Sequence, residues 1–183
     1  MPNRFFPRAS QKLTRLLASI LVAMLLFTSI AQARPDTLVV GKPAPSITLT
    51  TLDGARLATD DLLGKVIIVT FWATWCNPCR EELPLLSTYA TAHASQGLVV
   101  LGFSLDTLDK FDEVRSVARQ LNFPVGVLGD SRVSGYGRIW RLPVSFTIDR
   151  KGRLVDNGWD DKNPVWTRES LERVVTPLLG QGD

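Results

Sequence analysis

Two stretches of the chain, KVIIVTFWA (65–73) and GLVVLGFSL (97–105), are apolar almost without a break and rich in β-branched residues. Such runs predict strands buried on both faces of a sheet. Between them the spacing turns helical, predicting a helix from near Asn77 to about Ser95. In DKFDEVRSVARQLN, Phe111, Val114, Val117 and Leu121 recur at helical intervals and predict a second helix. Before the first run, SITLTTLDGARLAT reads as two short strands around an Asp53-Gly54 turn, a strong hairpin signal. Gly41-Lys42-Pro43-Ala44-Pro45 makes a stiff extended lead-in. Further on, FPVGVLGD predicts a short strand and VSGYGRIWRL a short helix. PVSFTIDRKGRLVDNGW predicts a hairpin turning at Lys151-Gly152, and TRESLERVVTPLLG an amphipathic helix opened by an approximate capping box at Thr167. The order βββαβαβαββα points to an α/β sandwich with a mixed sheet.

The first 33 residues do not belong to that pattern. Arg4, Arg8, Lys12 and Arg15 form a basic front, followed by an apolar run from Leu16 to Ile30. Ala31-Gln32-Ala33 then supplies the small-x-small pattern that a signal peptidase cuts after. Residues 1–33 are therefore expected to be a signal peptide, with an uncleaved anchor as the alternative, and 34–183 a single folded domain. The apolar run of 15 residues falls short of the roughly 20 that span a bilayer. Either way the domain is expected to be exported. The whole chain carries a net charge of +3. With the four leader residues removed from 21 Lys+Arg, 17 stand against 18 Asp+Glu, a net charge of about −1. The basic excess is thus for targeting, and no basic patch suggests nucleic acid.

Cys76 and Cys79, the only two cysteines, fall where the first buried strand joins its helix. At a helix N-terminus, free N–H groups and the positive end of the dipole stabilise a thiolate. Pro78 suits the first helical turn, where its missing N–H is not needed. Cys79, one turn in, is expected beneath Cys76 and less exposed. The arrangement supplies one accessible nucleophile and one resolving thiol. A zinc site needs four ligands, and the chain adds one histidine, His93, far down the helix. Covalent haem attachment needs CxxCH, and position 80 is Arg. A structural disulfide of so short a loop removes little entropy from the unfolded chain. Redox chemistry is the reading this context favours.

FWATWCNPCREELP resembles the active site of thioredoxin-fold proteins, and among them the TlpA/ResA-like exported thiol-disulfide oxidoreductases. The resemblance extends to Gly41–Pro45, the Asp53-Gly54 hairpin, Gly64-Lys65 and RLPVSFTID, covering about residues 39 to 180. It implies a thioredoxin-like three-layer sandwich, with a mixed central sheet, helices on both faces and an N-terminal β-hairpin extension. It implies that Cys76 attacks a substrate disulfide and Cys79 resolves the mixed disulfide. It makes Pro143 a cis-proline facing the pair, Leu142 and Trp75 lining the substrate groove, and Trp72 an aromatic at the site. Glu82, three residues after Cys79, matches a buried glutamate that tunes the thiols and takes a proton. Glu81 fits equally well as an ordinary first-turn acid.

Two positions depart from these patterns. Cytoplasmic thioredoxins have an aspartate six residues before the first cysteine, where this chain has Thr70, which gives Glu82 more weight. Arg141 stands where many relatives have a small residue, changing the shape and charge of the groove. His93, Trp140, Trp159 and Trp166 are read as solvated or packing residues, and Gly129, Gly135 and Gly137 form no nucleotide motif. No cofactor or metal is expected. The resemblance implies a monomeric periplasmic dithiol reductase acting on client proteins with cysteine pairs, cytochrome c among them. Its electrons would come from a membrane-embedded thiol donor of the DsbD/CcdA type. The alternatives are a net oxidant with the same residues and a thiol-based metal-site assembly factor. The last would rest on the two thiols alone, since both methionines lie in the leader.

Overall fold

The computed structural model describes residues 38–128 and 132–180. The expected signal peptide with its cleavage point after Ala33, and Gly129 of the glycine cluster, lie outside the described residues. Among the described residues no helix is long and apolar enough to cross a membrane.

The two apolar runs become β3 (Val66–Trp72) and β4 (Leu98–Ser104), paired in parallel along their whole length. They are the middle of a five-stranded sheet. Before them come β1 (Thr48–Thr50) and β2 (Arg56–Ala58), the expected hairpin. After them come β5 (Val125–Val127), the two-residue strands β6 (Arg132–Val133) and β7 (Gly137–Arg138), and the hairpin of β8 (Val144–Ile148) with β9 (Leu154–Asn157). The sheet order is β5-β4-β3-β8-β9, with β8 antiparallel to β3, so the sheet is mixed. The helices are α1 (Asn77–His93), α2 (Phe111–Ala118), α3 (Arg168–Val174) and α4 (Thr176–Leu179).

Period-two alternation divides the core. Val66, Ile68 and Trp72 of β3 face one side, where Leu83 and Leu86 of α1, Val114 of α2 and Leu171 of α3 cover them. Ile67, Val69 and Phe71 face the other, against Ile47, Leu49, Phe146 and Tyr136. That second face is covered by the β1–β2 hairpin, the β6–β7 hairpin and one 3₁₀ turn, Thr59–Leu62, whose Leu62 packs on the cluster. Burying each Leu, Ile or Phe on either face contributes about 1.5–3 kcal/mol. The extended lead-in runs along β9, with Gly41 N–H donating to Leu154 O at 2.8 Å and Leu154 N–H to Lys42 O at 2.9 Å.

Three expectations change. VSGYGRIWRL forms the tight β6–β7 hairpin instead of a short helix. Gly135 and Gly137 take φ of +77° and +81°, a region closed to a right-handed helix, and Tyr136 between them is pinned by its hydroxyl to Pro45 O at 3.0 Å. The C-terminal helix is two pieces, because Pro177 has no N–H to continue the ladder and its ring clashes with the preceding turn. Helix α1 ends at His93, and a 3₁₀ turn over Ala94–Gln96 carries the chain to Gly97 at φ +83°. The Thr167 cap is a true capping box, with Ser170 in the reciprocal role that Glu or Gln usually fills.

Candidate active site

Strand β3 is buried at all seven positions and delivers a short loop, Ala73-Thr74-Trp75, to the start of α1. Cys76 is the N-cap. Its N–H donates to Ala73 O at 3.1 Å, its carbonyl receives Arg80 N–H at 3.2 Å, and its Sγ receives Cys79 N–H at 3.3 Å. A thiolate at Cys76 would therefore sit on one of the N–H groups that a helix start leaves unpaired, in the positive end of the dipole. Pro78 occupies the first turn, as expected. Cys76 and Cys79 are joined in a disulfide with their Cα atoms 5.3 Å apart. Cys76 lies at the floor of a surface groove, and Cys79 below it is fully buried.

The loop before Cys76 is bolted down by a residue that sequence reasoning missed. Asp106, 2% exposed, accepts hydrogen bonds from Thr74 N–H at 2.8 Å, Thr74 Oγ1 at 2.7 Å and Ser104 Oγ at 2.7 Å. Leu105 N–H also donates to Trp72 O at 2.8 Å, so the end of β4 holds the end of β3. The usable signal was the register Trp72↔Ser104, which sets Asp106 beside Thr74, and register between parallel strands is not written in either strand alone.

Glu82 comes from the next turn of α1 on the same side as Cys79, a spacing that places side chains about 5–6 Å apart. It is 2% exposed, and its Oε2 receives the N–H of Trp166 at 2.7 Å. Burial pushes its carboxyl up to about 7, against the smaller lowering effects of the Trp166 N–H and the Thr70 hydroxyl. Thr70 Oγ1 is buried without a hydrogen bond of ordinary geometry, so it steadies the carboxylate less than the Trp166 N–H does. Glu81 is exposed, so the buried acid of this turn is Glu82.

Above the disulfide runs a groove of about 650 Å³, lined among others by Trp75, Cys76, Arg138, Trp140, Arg141 and Leu142. The Leu142–Pro143 bond is cis, and Pro143 is buried directly behind Leu142. Trp75 is 69% exposed and forms one wall, whereas Trp72 is fully buried in the core. The structure thus brings Cys76, Trp75 and Leu142 to one groove and puts Cys79 and Glu82 on the helix beneath. Trp140, read from sequence as packing, is 70% exposed on the opposite wall. Arg141 lines the groove with its guanidinium held by the protein itself. Its Nη2 donates to Gly158 O and to Asp161 O, the latter at 2.8 Å, and its guanidinium lies near the Trp140 and Trp159 rings. Trp166 is buried as expected, and His93 is a half-buried partner of Gln96 whose ring lies tilted against Tyr89.

Residues 40–157 match the sequence profile of the AhpC/TSA family. The thiol-disulfide oxidoreductase ResA of Bacillus thuringiensis (strain Al Hakam) is 30% identical over 150 residues, which cover 79% of this chain and 83% of that one. The thioredoxin-like protein YneN of Bacillus subtilis (strain 168) is 32% identical over 124 residues, 63% of this chain and 69% of its own. Among solved structures, a thiol:disulfide interchange protein of the thioredoxin family from Chlorobium tepidum TLS superposes with a TM-score of 0.61 at 30% identity, covering 82% of this chain and all of that one.

Proposed function

Because the chain belongs to the AhpC/TSA family and is a thiol-disulfide oxidoreductase of the ResA type with a thioredoxin-like fold, we propose that it serves as an exported dithiol reductase for cysteine pairs of other proteins. One arrangement carries this reading: a Cys76–Cys79 pair at a helix N-terminus with the buried Glu82 one turn below.

In the reduced protein, the Cys76 thiolate attacks one sulfur of a client disulfide and releases the other as a thiolate. Leu142 and Pro143 offer backbone groups to the extended client segment, and Trp75 walls it in. Cys79 then gives its proton to the Glu82 carboxylate and attacks Cys76 Sγ. The client leaves as a dithiol, its two sulfurs taking one proton returned by Glu82 and one from solvent, and the protein keeps the disulfide. With its carboxyl near 7, Glu82 is available in both forms around neutral pH, which suits a group that must take and return one proton.

The same carboxylate supports one direction of electron flow. A buried negative charge beside the thiols opposes thiolate formation, which destabilises the reduced form and makes the couple a better electron donor. This favours the reductant over its oxidising counterpart. The leader directs the chain to the periplasm as a cleaved signal or an inner-membrane anchor. There it acts as a monomer on clients such as the cysteine pair of cytochrome c. A membrane-embedded thiol donor of the DsbD/CcdA type regenerates the dithiol.

The roles of the two cysteines are tested by trapping. The Cys79→Ser variant should accumulate a mixed disulfide through Cys76 with an oxidised CxxCH peptide, and Cys76→Ser should accumulate none. Trapping by Cys76→Ser alone would overturn the assignment.

A further inference from the structure

The geometry points to a substrate preference: the client segment that docks over Cys76 carries an acidic side chain next to its reactive cysteine, received by Arg138. This rests on the reductase reading above and narrows its substrate class.

The groove is built for a polypeptide. Of the aromatic side chains among the described residues, only Trp75 and Trp140 are exposed, at 69% and 70%, and both line this groove. Two such surfaces left in water beside a reactive sulfur suit an apolar or aromatic stretch of a partner chain.

Its charge is one-sided. Among the described residues the lining contains Arg138 and Arg141 and no carboxylate. Arg141 has a structural partner set, the carbonyls of Gly158 and Asp161. Arg138 has none: it is exposed on β7, and its guanidinium makes no hydrogen bond or ion pair with any described residue. Asp160 and Asp161, in the loop after β9, are engaged locally. Their carboxylates accept Asn157 Nδ2 and Asn163 N–H, and neither lines the groove. The position of Arg138 is fixed by the β6–β7 turn, which Tyr136 ties to Pro45. A free guanidinium held at the rim of a cleft attracts an anionic partner and disfavours a cationic one, chiefly through the association rate. The exchange itself is unchanged: the protein dithiol supplies two electrons and two protons, and the client disulfide receives them.

The test uses the reduced full-length chain and two peptides, each closed by an internal disulfide and differing only in Glu or Lys beside the first cysteine. Oxidation of the protein is followed by rapid-quench mass spectrometry. At low ionic strength the Glu peptide should react about 10-fold faster than the Lys peptide, with the gap shrinking at high salt. Arg138→Gln should remove most of the ratio, and Arg138→Glu should reverse it. Equal rates for the two peptides, or a ratio that both variants leave intact, would overturn the preference. Wild-type reduction of hydroxyethyl disulfide separates the two readings. If that small disulfide is reduced while the peptides react alike, the preference alone falls. If neither it nor the peptides are reduced, the reductase reading falls too.

Discussion

Glu82 Oε2 receives the backbone N–H of Trp166 at 2.7 Å, joining residues 84 apart in sequence. One hydrogen bond thus ties the helix that carries the cysteines to the segment leading into α3, and it does so through a buried acid. The strand position that is an aspartate in cytoplasmic thioredoxins is the neutral Thr70, in the same buried space. In the proposed mechanism the proton acceptor therefore comes from the helix and not from the strand.

That placement fixes a pH dependence of stability. Glu82 titrates near 7 when folded and near its ordinary value of 4.5 when unfolded. Between those values the folded state holds the proton more tightly, so stability is greatest below about 4.5 and falls as pH rises through about 7. The shift corresponds to a loss on the order of 3 kcal/mol across that window. Urea unfolding of the oxidised wild type from pH 4 to 8 should show the decline, and Glu82→Gln should lack most of it. A variant as steep as wild type would assign the decline to other groups.

Removing the Asp106 carboxylate should cost more than a surface acid would. Asp106→Ala leaves Thr74 N–H and the Thr74 and Ser104 hydroxyls without their acceptor in a buried place. A loss on the order of 3 kcal/mol in urea unfolding is expected, with Asp106→Asn losing less. Since the freed loop leads straight into Cys76, its reaction with an alkylating agent in the reduced protein should change by several-fold, measured against Cys76 in the wild type.

Gly135→Ala should loosen the groove wall. At φ +77° a side chain is strained, and its Cβ would lie 2.2 Å from Pro45 Cβ. A destabilisation of about 2 kcal/mol or more is expected, read as a lowered urea midpoint.

The strands, their order and the cysteine pair were legible because each rests on local pattern: apolar runs for β3 and β4, Asp53-Gly54 for the hairpin, C-x-x-C after a strand for the site. The β6–β7 hairpin was not, because helical spacing in VSGYGRIWRL was overridden by the two positive-φ glycines and by Tyr136 reaching Pro45 across 91 residues. Asp106 was hidden for the same reason, since its long-range partner, Thr74, comes from the loop after the neighbouring strand. Exposure of Trp140 could not be separated from packing, because Trp serves both.

The reduction potential of the Cys76–Cys79 couple tests the central claim most directly. Equilibrated against a dithiol buffer and read by tryptophan fluorescence, it should fall near or below about −270 mV, the region of thioredoxin. A value toward about −120 mV would make the protein a disulfide-forming oxidant and contradict the account.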